Sequence, residues 1–118
     1  MKYSFNTWAM GSYPTWLPAY PLDLVVRRLA RIGYDAVEVG CTAPHAWPDY
    51  LDSTERKALL SVAHENDIVY SSICSIMGVG PGNNPASANP RERAWALQHL
   101  KDVVDLAADL ECRKLIYV

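Results

Sequence analysis

Among the residues able to do chemistry, Glu38 asks the sharpest question. It lies in the short strand Ala36, Val37, Glu38, Val39, which ends at Gly40. With Val37 and Val39 facing helices, strand parity turns Glu38 to the opposite, inner face, where a carboxylate is costly unless paired or hydrogen-bonded. We therefore expect a structural network around it, with partners from strands beyond this chain, rather than a direct catalytic role. His45, between Pro44 and Pro48, has two readings: it hydrogen-bonds a ligand hydroxyl or phosphate, or it pins its loop through a backbone carbonyl. Trp8, at the end of the first strand, and Trp16, in the loop after it, offer broad apolar faces, to a ligand or to the loop itself. Cys74, near the end of the third strand, reads by itself as a small buried hydrophobe.

The elements that must position these residues follow from periodicity. Tyr3 and Phe5 alternate with Ser4 and Asn6, as in a strand with two different faces. Leu22, Val25, Val26, Leu29 and Ile32 recur at helical spacing, with Pro21 suited to a first helical position and Gly33 to a left-handed stop. Asp52 with Glu55 forms a capping box for a helix running to about Glu65, and Asn89, Pro90 and Glu92 announce another. The inner stripe of that last helix is expected at Ala94, Leu97, Leu100, Val103, Val104, Ala107 and Leu110. Ile68, Val69, Tyr70, Ile73 and Ile76 mark the third strand, made unusually polar by Ser71, Ser72 and Ser75, and residues 115–118 mark a fourth.

Strands alternating with helices of this length pair in parallel through right-handed crossovers. A doubly wound, flavodoxin-like sheet would place a glycine-rich phosphate turn between the first strand and helix, but that connection is aromatic and holds only Gly11. The run Gly78, Val79, Gly80, Pro81, Gly82 follows the third strand and is set apart from the next helix, so a mobile loop explains it better than a phosphate cradle. Long connections after strands and tight ones after helices suit the first part of a (β/α)8 TIM barrel, in the order β-α-β-α-β-α-β. Residues 1–118 then form a single partial domain, and the last strand needs cover from elsewhere.

Composition narrows the partners. Of 118 residues, half are hydrophobic and a fifth charged, and a net charge of −2 with a pI near 5.8 shows no footprint for nucleic acid or an anionic membrane. Cys41, Cys74 and Cys112 are an odd, scattered set without a CxxC pair, which suits reduced cytoplasmic thiols better than disulfides or a zinc knuckle. No run approaches a membrane span, and no export signal precedes the first strand. A small molecule is the expected partner, with a homo-oligomer through exposed sheet edges as a further possibility.

The segment Gly33, Tyr34, Asp35, Ala36, Val37, Glu38, Val39, Gly40, followed by Pro44, His45, Ala46, Trp47, Pro48, Asp49, resembles the second strand and loop of the xylose isomerase-like barrel superfamily. Within it, the nearest likeness is to sugar phosphate isomerases/epimerases and their ketose 3-epimerases. Pro90, Arg91, Glu92, Arg93, with residues 107–112 and 114–118, resembles that family's third helix and fourth strand. The resemblance covers nearly the whole chain but only about the first half of a family member. It implies a sugar or sugar phosphate substrate and proton transfer beside a carbonyl. It also implies a divalent metal (Mn, Zn, Co or Mg) held by Glu, Asp, His and Glu of later strands, so the catalytic residues are expected beyond Val118 and no metal ligand within the chain. Trp8, Trp16, His45 and Cys74 would then supply one wall of the sugar pocket. Two other readings stay open: an abasic-site endonuclease on the same barrel, which would need a basic groove, and a non-catalytic half barrel assembling with another chain.

Overall fold

In the computed structural model, which describes residues 1–11, 18–43, 45–75 and 83–117, the predicted alternation appears as β1 (Ser4–Asn6), α1 (Leu22–Ile32), β2 (Ala36–Cys41), α2 (Ser53–Glu65), β3 (Val69–Ser75), α3 (Pro90–Asp109) and β4 (Leu115–Tyr117). The strands form one parallel sheet in sequence order, β1-β2-β3-β4. A doubly wound sheet reverses its order at a switch point, whereas a barrel wall does not. The sheet is thus the N-terminal part of a TIM barrel, and the flavodoxin-like alternative falls.

Local sequence explains the helix ends. The Asp52 carboxylate accepts from the Thr54 and Glu55 amides at 2.7 and 2.8 Å, and Glu55 accepts from the Asp52 amide at 2.8 Å, completing the capping box. Asn89 caps α3 by accepting from the Arg91 amide at 3.0 Å. Pro21 takes the cap position of α1 rather than the first helical one. All three helices close alike: the amides of Tyr34, Ile68 and Cys112 reach back to the carbonyls of Leu29, Ala63 and Ala107. The left-handed residue of each turn is Gly33 (φ 104°), Asp67 (φ 52°) or Glu111 (φ 55°). These tight turns gather at the strand N-termini and leave the C-terminal ends to the long connections.

Val37, Val39 and Cys41 of β2 and Tyr70 and Ile73 of β3 face the helices, burying Val26, Leu29, Leu59, Val62, Val103 and Leu106. The stripe read for α3 needs correction. Leu97 (53% exposed) and Val104 (51%) lie outside, while Ala96, His99, Val103, Leu106, Ala107 and Leu110 face in. The helix carries two apolar stripes, and the buried one includes a histidine that hydropathy does not count. Ile32, read as part of the α1 stripe, is likewise exposed. Arg56 ties the layer together: Nε donates to the Leu51 carbonyl at 2.9 Å, one Nη to the Pro48 carbonyl at 3.0 Å and the other to Asp109 at 2.9 Å.

Candidate functional site

The inner face of the sheet, opposite the helices, holds the polar residues. Phe5 turns outward to meet Tyr34 edge-on with centroids 5.7 Å apart, so Ser4 and Asn6 turn inward. One Glu38 carboxylate oxygen accepts from the Asn6 side-chain amide and the other from the Ser72 hydroxyl at 2.6 Å. The carboxylate is half-buried, and its partners come from β1 and β3 of this chain, which corrects the expectation that absent strands supply them. A register shift explains the polar third strand: Val37 opposes Tyr70 but Glu38 opposes Ser72, so one extra residue bulges from β3. Both Ser71 and Ser72 then reach inner partners, with the Ser71 hydroxyl 2.8 Å from that of Ser4.

At the mouth of this face, Asn6 caps a 3-10 turn (Thr7–Met10) by accepting from the Trp8 amide at 2.7 Å. The turn lies almost against β2: a Cβ built on Gly40 would sit 2.6 Å from Trp8 Cα and 2.7 Å from its nitrogen. Only glycine permits that approach. Trp8 is thereby held half-buried at the end of β1. Cys74 pairs in register with Gly40 and is 6% exposed; burial first, and the Glu38 charge second, push its thiol pKa above 9.0, so it is a neutral thiol near pH 7. Cys41, buried and donating to the Ala46 carbonyl, is pushed up to about 12. All three cysteines are free and buried.

His45 is 5% exposed with both nitrogens engaged. Nδ1 lies 2.8 Å from the Tyr20 carbonyl, which can only accept, so Nδ1 carries the hydrogen. Nε2 then accepts from the Thr7 hydroxyl at 3.1 Å, and Thr7 Oγ1 in turn accepts from the Gly40 amide at 3.0 Å. Of the two roles open to His45, this is the geometry of the loop pin. Trp16, Pro44 and the Gly78 to Gly82 run lie outside the described residues.

Sequence reasoning missed a second histidine site. His99, 3% exposed on α3, stacks on Trp47 (centroids 4.4 Å apart, 22° between planes) and Trp95 (5.4 Å, 8°), docking the connection after β2 onto the helix. The distance in sequence from Trp47 to the other two rings leaves no local signal of the stack.

Burial lowers the pKa of both His45 and His99 below 6.5, against the smaller opposing pull of the Tyr20 carbonyl on one and of Asp49 and Asp102 on the other. A lowered folded pKa means that the unfolded chain binds the proton more tightly. Stability is thus complete above the unfolded value and declines as pH falls through about 6.5, by at most about 1.4 kcal/mol per pH unit for each histidine. Urea melts at pH 7.5 and 5.5 should show a lower midpoint at pH 5.5, and H45Q and H99F should each flatten the difference. Equal midpoints in the parent protein would contradict this.

The described residues do not fit a divalent metal. No three His, Cys, Asp or Glu side chains among them converge, and Glu38 and His45 are committed to protein partners. No helix among them is long and apolar enough to cross a membrane.

A parallel wall in sequence order, with polar side chains inside and long connections at the strand C-termini, defines a TIM-barrel segment. Residues 26–118 match the family model of the xylose isomerase-like TIM barrel, and the chain belongs to that family. Its fold is similar to that of a D-psicose 3-epimerase solved in the presence of D-fructose (TM-score 0.76, 18% identity, 99% of this chain and 37% of that one). It is also similar to the D-psicose 3-epimerase of Clostridium cellulolyticum H10 solved with D-tagatose (TM-score 0.75, 18% identity, 99% and 37%). A third likeness is to the probable 3-DHS dehydratase AsbF of Bacillus anthracis (TM-score 0.69, 15% identity, 99% and 38%). At these identities the likeness is one of fold. The chain spans a little over a third of the length of these structures. No curated protein sequence matches it significantly.

Proposed function

We propose that this chain is the N-terminal portion of a sugar or sugar-phosphate isomerase or epimerase that moves a proton beside a carbonyl. The observation that carries the reading is the polar inner face with Trp8 fixed at its mouth, on the fold that the two 3-epimerases also have. Trp8 offers an apolar ring to the C–H face of a sugar, Trp16 belongs to the same connection, and Cys74 lines the wall with a small neutral thiol. His45 contributes by tying Tyr20, at the end of the connection after β1, to Thr7 at its start. A divalent metal enters the proposal through the family resemblance alone. Its ligands and the proton-transferring carboxylates would belong to other segments.

The test is deuterium exchange. The full-length protein carrying this chain, incubated in D2O with added Mn2+ and in turn D-fructose, D-psicose, D-tagatose and D-fructose 6-phosphate, should place deuterium beside the carbonyl of at least one, read by proton NMR. No exchange into any of the four would overturn the reading.

A further inference from the structure

We infer that Glu38 is a positioning residue that sets the place of Trp8 through Asn6; the functional consequence rests on the sugar-pocket reading above, while the positional one does not. Three observations build the relay. Asn6 is used at both ends of its side-chain amide: Nδ2 donates to Glu38, and Oδ1 accepts from the Trp8 backbone amide at 2.7 Å. An asparagine amide has one orientation that serves both partners, so the acceptor on β2 dictates which atom faces the 3-10 turn. Glu38 is itself held from its far side by the Ser72 hydroxyl at 2.6 Å, and Ser72 reaches it because β3 bulges between the partners of Val37 and Glu38. The carboxylate is thus clamped between two neighbouring strands. It hands that fixed position to the first turn after β1.

Backbone contact makes the turn sensitive to this. The Trp8 backbone lies so near Gly40 that a single added carbon would meet it at 2.6 Å, so the turn has no slack toward β2 and is steered from the Asn6 side. Losing the Asn6 contact removes the side-chain restraint on the Trp8 amide and shifts the turn, and the indole with it. Glu38 need not touch a substrate to matter.

The chemistry also predicts a rescue. Glu38→Gln keeps an oxygen for Asn6 and presents an amide to the Ser72 hydroxyl, so the relay survives without charge. Asn6→Asp sets a second carboxylate against Glu38 and breaks it by repulsion. In N6D/E38Q, the carboxylate introduced on β1 accepts both from the Trp8 amide and from the side-chain amide introduced on β2. Ser72 then donates to the oxygen of that side-chain amide, so the relay re-forms with its donor and acceptor exchanged.

The experiment uses the full-length protein labelled with 5-fluorotryptophan, with the Trp8 resonance assigned by its loss in W8F. The Trp8 resonance should keep its position in E38Q and N6D/E38Q and should shift or broaden in N6D, N6A and E38L, while those of Trp47 and Trp95 stay in place in all. D-fructose, titrated against the same signal, should bind the parent protein and lose about tenfold in affinity in N6A, as expected for one displaced ligand contact. An unmoved Trp8 resonance in N6A and N6D, or a double variant no closer to the parent than N6D, overturns the relay. Should none of D-fructose, D-psicose, D-tagatose and D-fructose 6-phosphate shift a tryptophan resonance in the parent protein, the sugar reading falls while the variants still decide the relay.

Discussion

Gly40→Ala is expected to lower stability by about 3 kcal/mol, at or beyond the upper end for overpacking a core position, because the clash is with backbone. The added Cβ would meet Trp8 Cα at 2.6 Å, its nitrogen at 2.7 Å and its Cβ at 3.1 Å, and neither a rotamer change nor a small side-chain shift relieves the first two. The 3-10 turn must move off β2. That motion would also break the bond from the Gly40 amide to Thr7, and with it the hydroxyl that serves His45. One methyl group therefore disturbs the turn, the histidine pin and the Trp8 mouth together. Gly33→Ala provides the contrast: nothing lies within 4 Å of its Cβ, and the cost is that of a left-handed φ of 104°, about 1 kcal/mol. Denaturant melts of the full-length protein should separate the two by the position of their midpoints. Equal losses would mean that the approach of the turn to β2 is looser than the structure shows.

Arg56→Ala should cost a similar amount, about 3 kcal/mol, by a different route. Its partner Asp109 is half exposed, so the ion pair alone is worth less than about 1 kcal/mol. The larger part comes from the carbonyls of Leu51 and Pro48, which take the guanidinium nitrogens at 2.9 and 3.0 Å; the Pro48 carbonyl keeps a longer bond from the Leu51 amide at 3.3 Å, so the loss falls mainly on Leu51. Lysine presents one compact head where three separated partners need a planar fork, so R56K should recover less than half of the loss. Asp109→Asn should change stability little. A D109N loss equal to that of R56A would overturn this division, and thermal melts of the three variants measure it.

The distribution of these sites shows how far periodicity carries. Helix caps were legible because a cap is a contact between residues two or three apart, as at Asp52 and Asn89. The inward direction of Glu38 was legible because parity is a property of one strand. Its partners were not, since Asn6 and Ser72 lie 32 and 34 residues away, and Ser72 reaches it only through a bulge that no residue type announces. The stripe of α3 was misplaced for a related reason. A helix with two apolar faces does not say which one meets the sheet, and His99 sits on the buried one because Trp47 arrives from another connection.

The chain by itself determined the order of its strands and helices and their parallel pairing, which rest on local spacing, while the barrel family was legible only as a resemblance carried by segments such as residues 33–40 and 44–49. Only the tertiary structure decided that His45 faces Thr7 and Tyr20, that Glu38 is gripped from both sides, and that Gly40 brings Trp8 into place. Those are meetings between distant segments, and their energies depend on distances of a few ångströms that the linear order of residues does not contain.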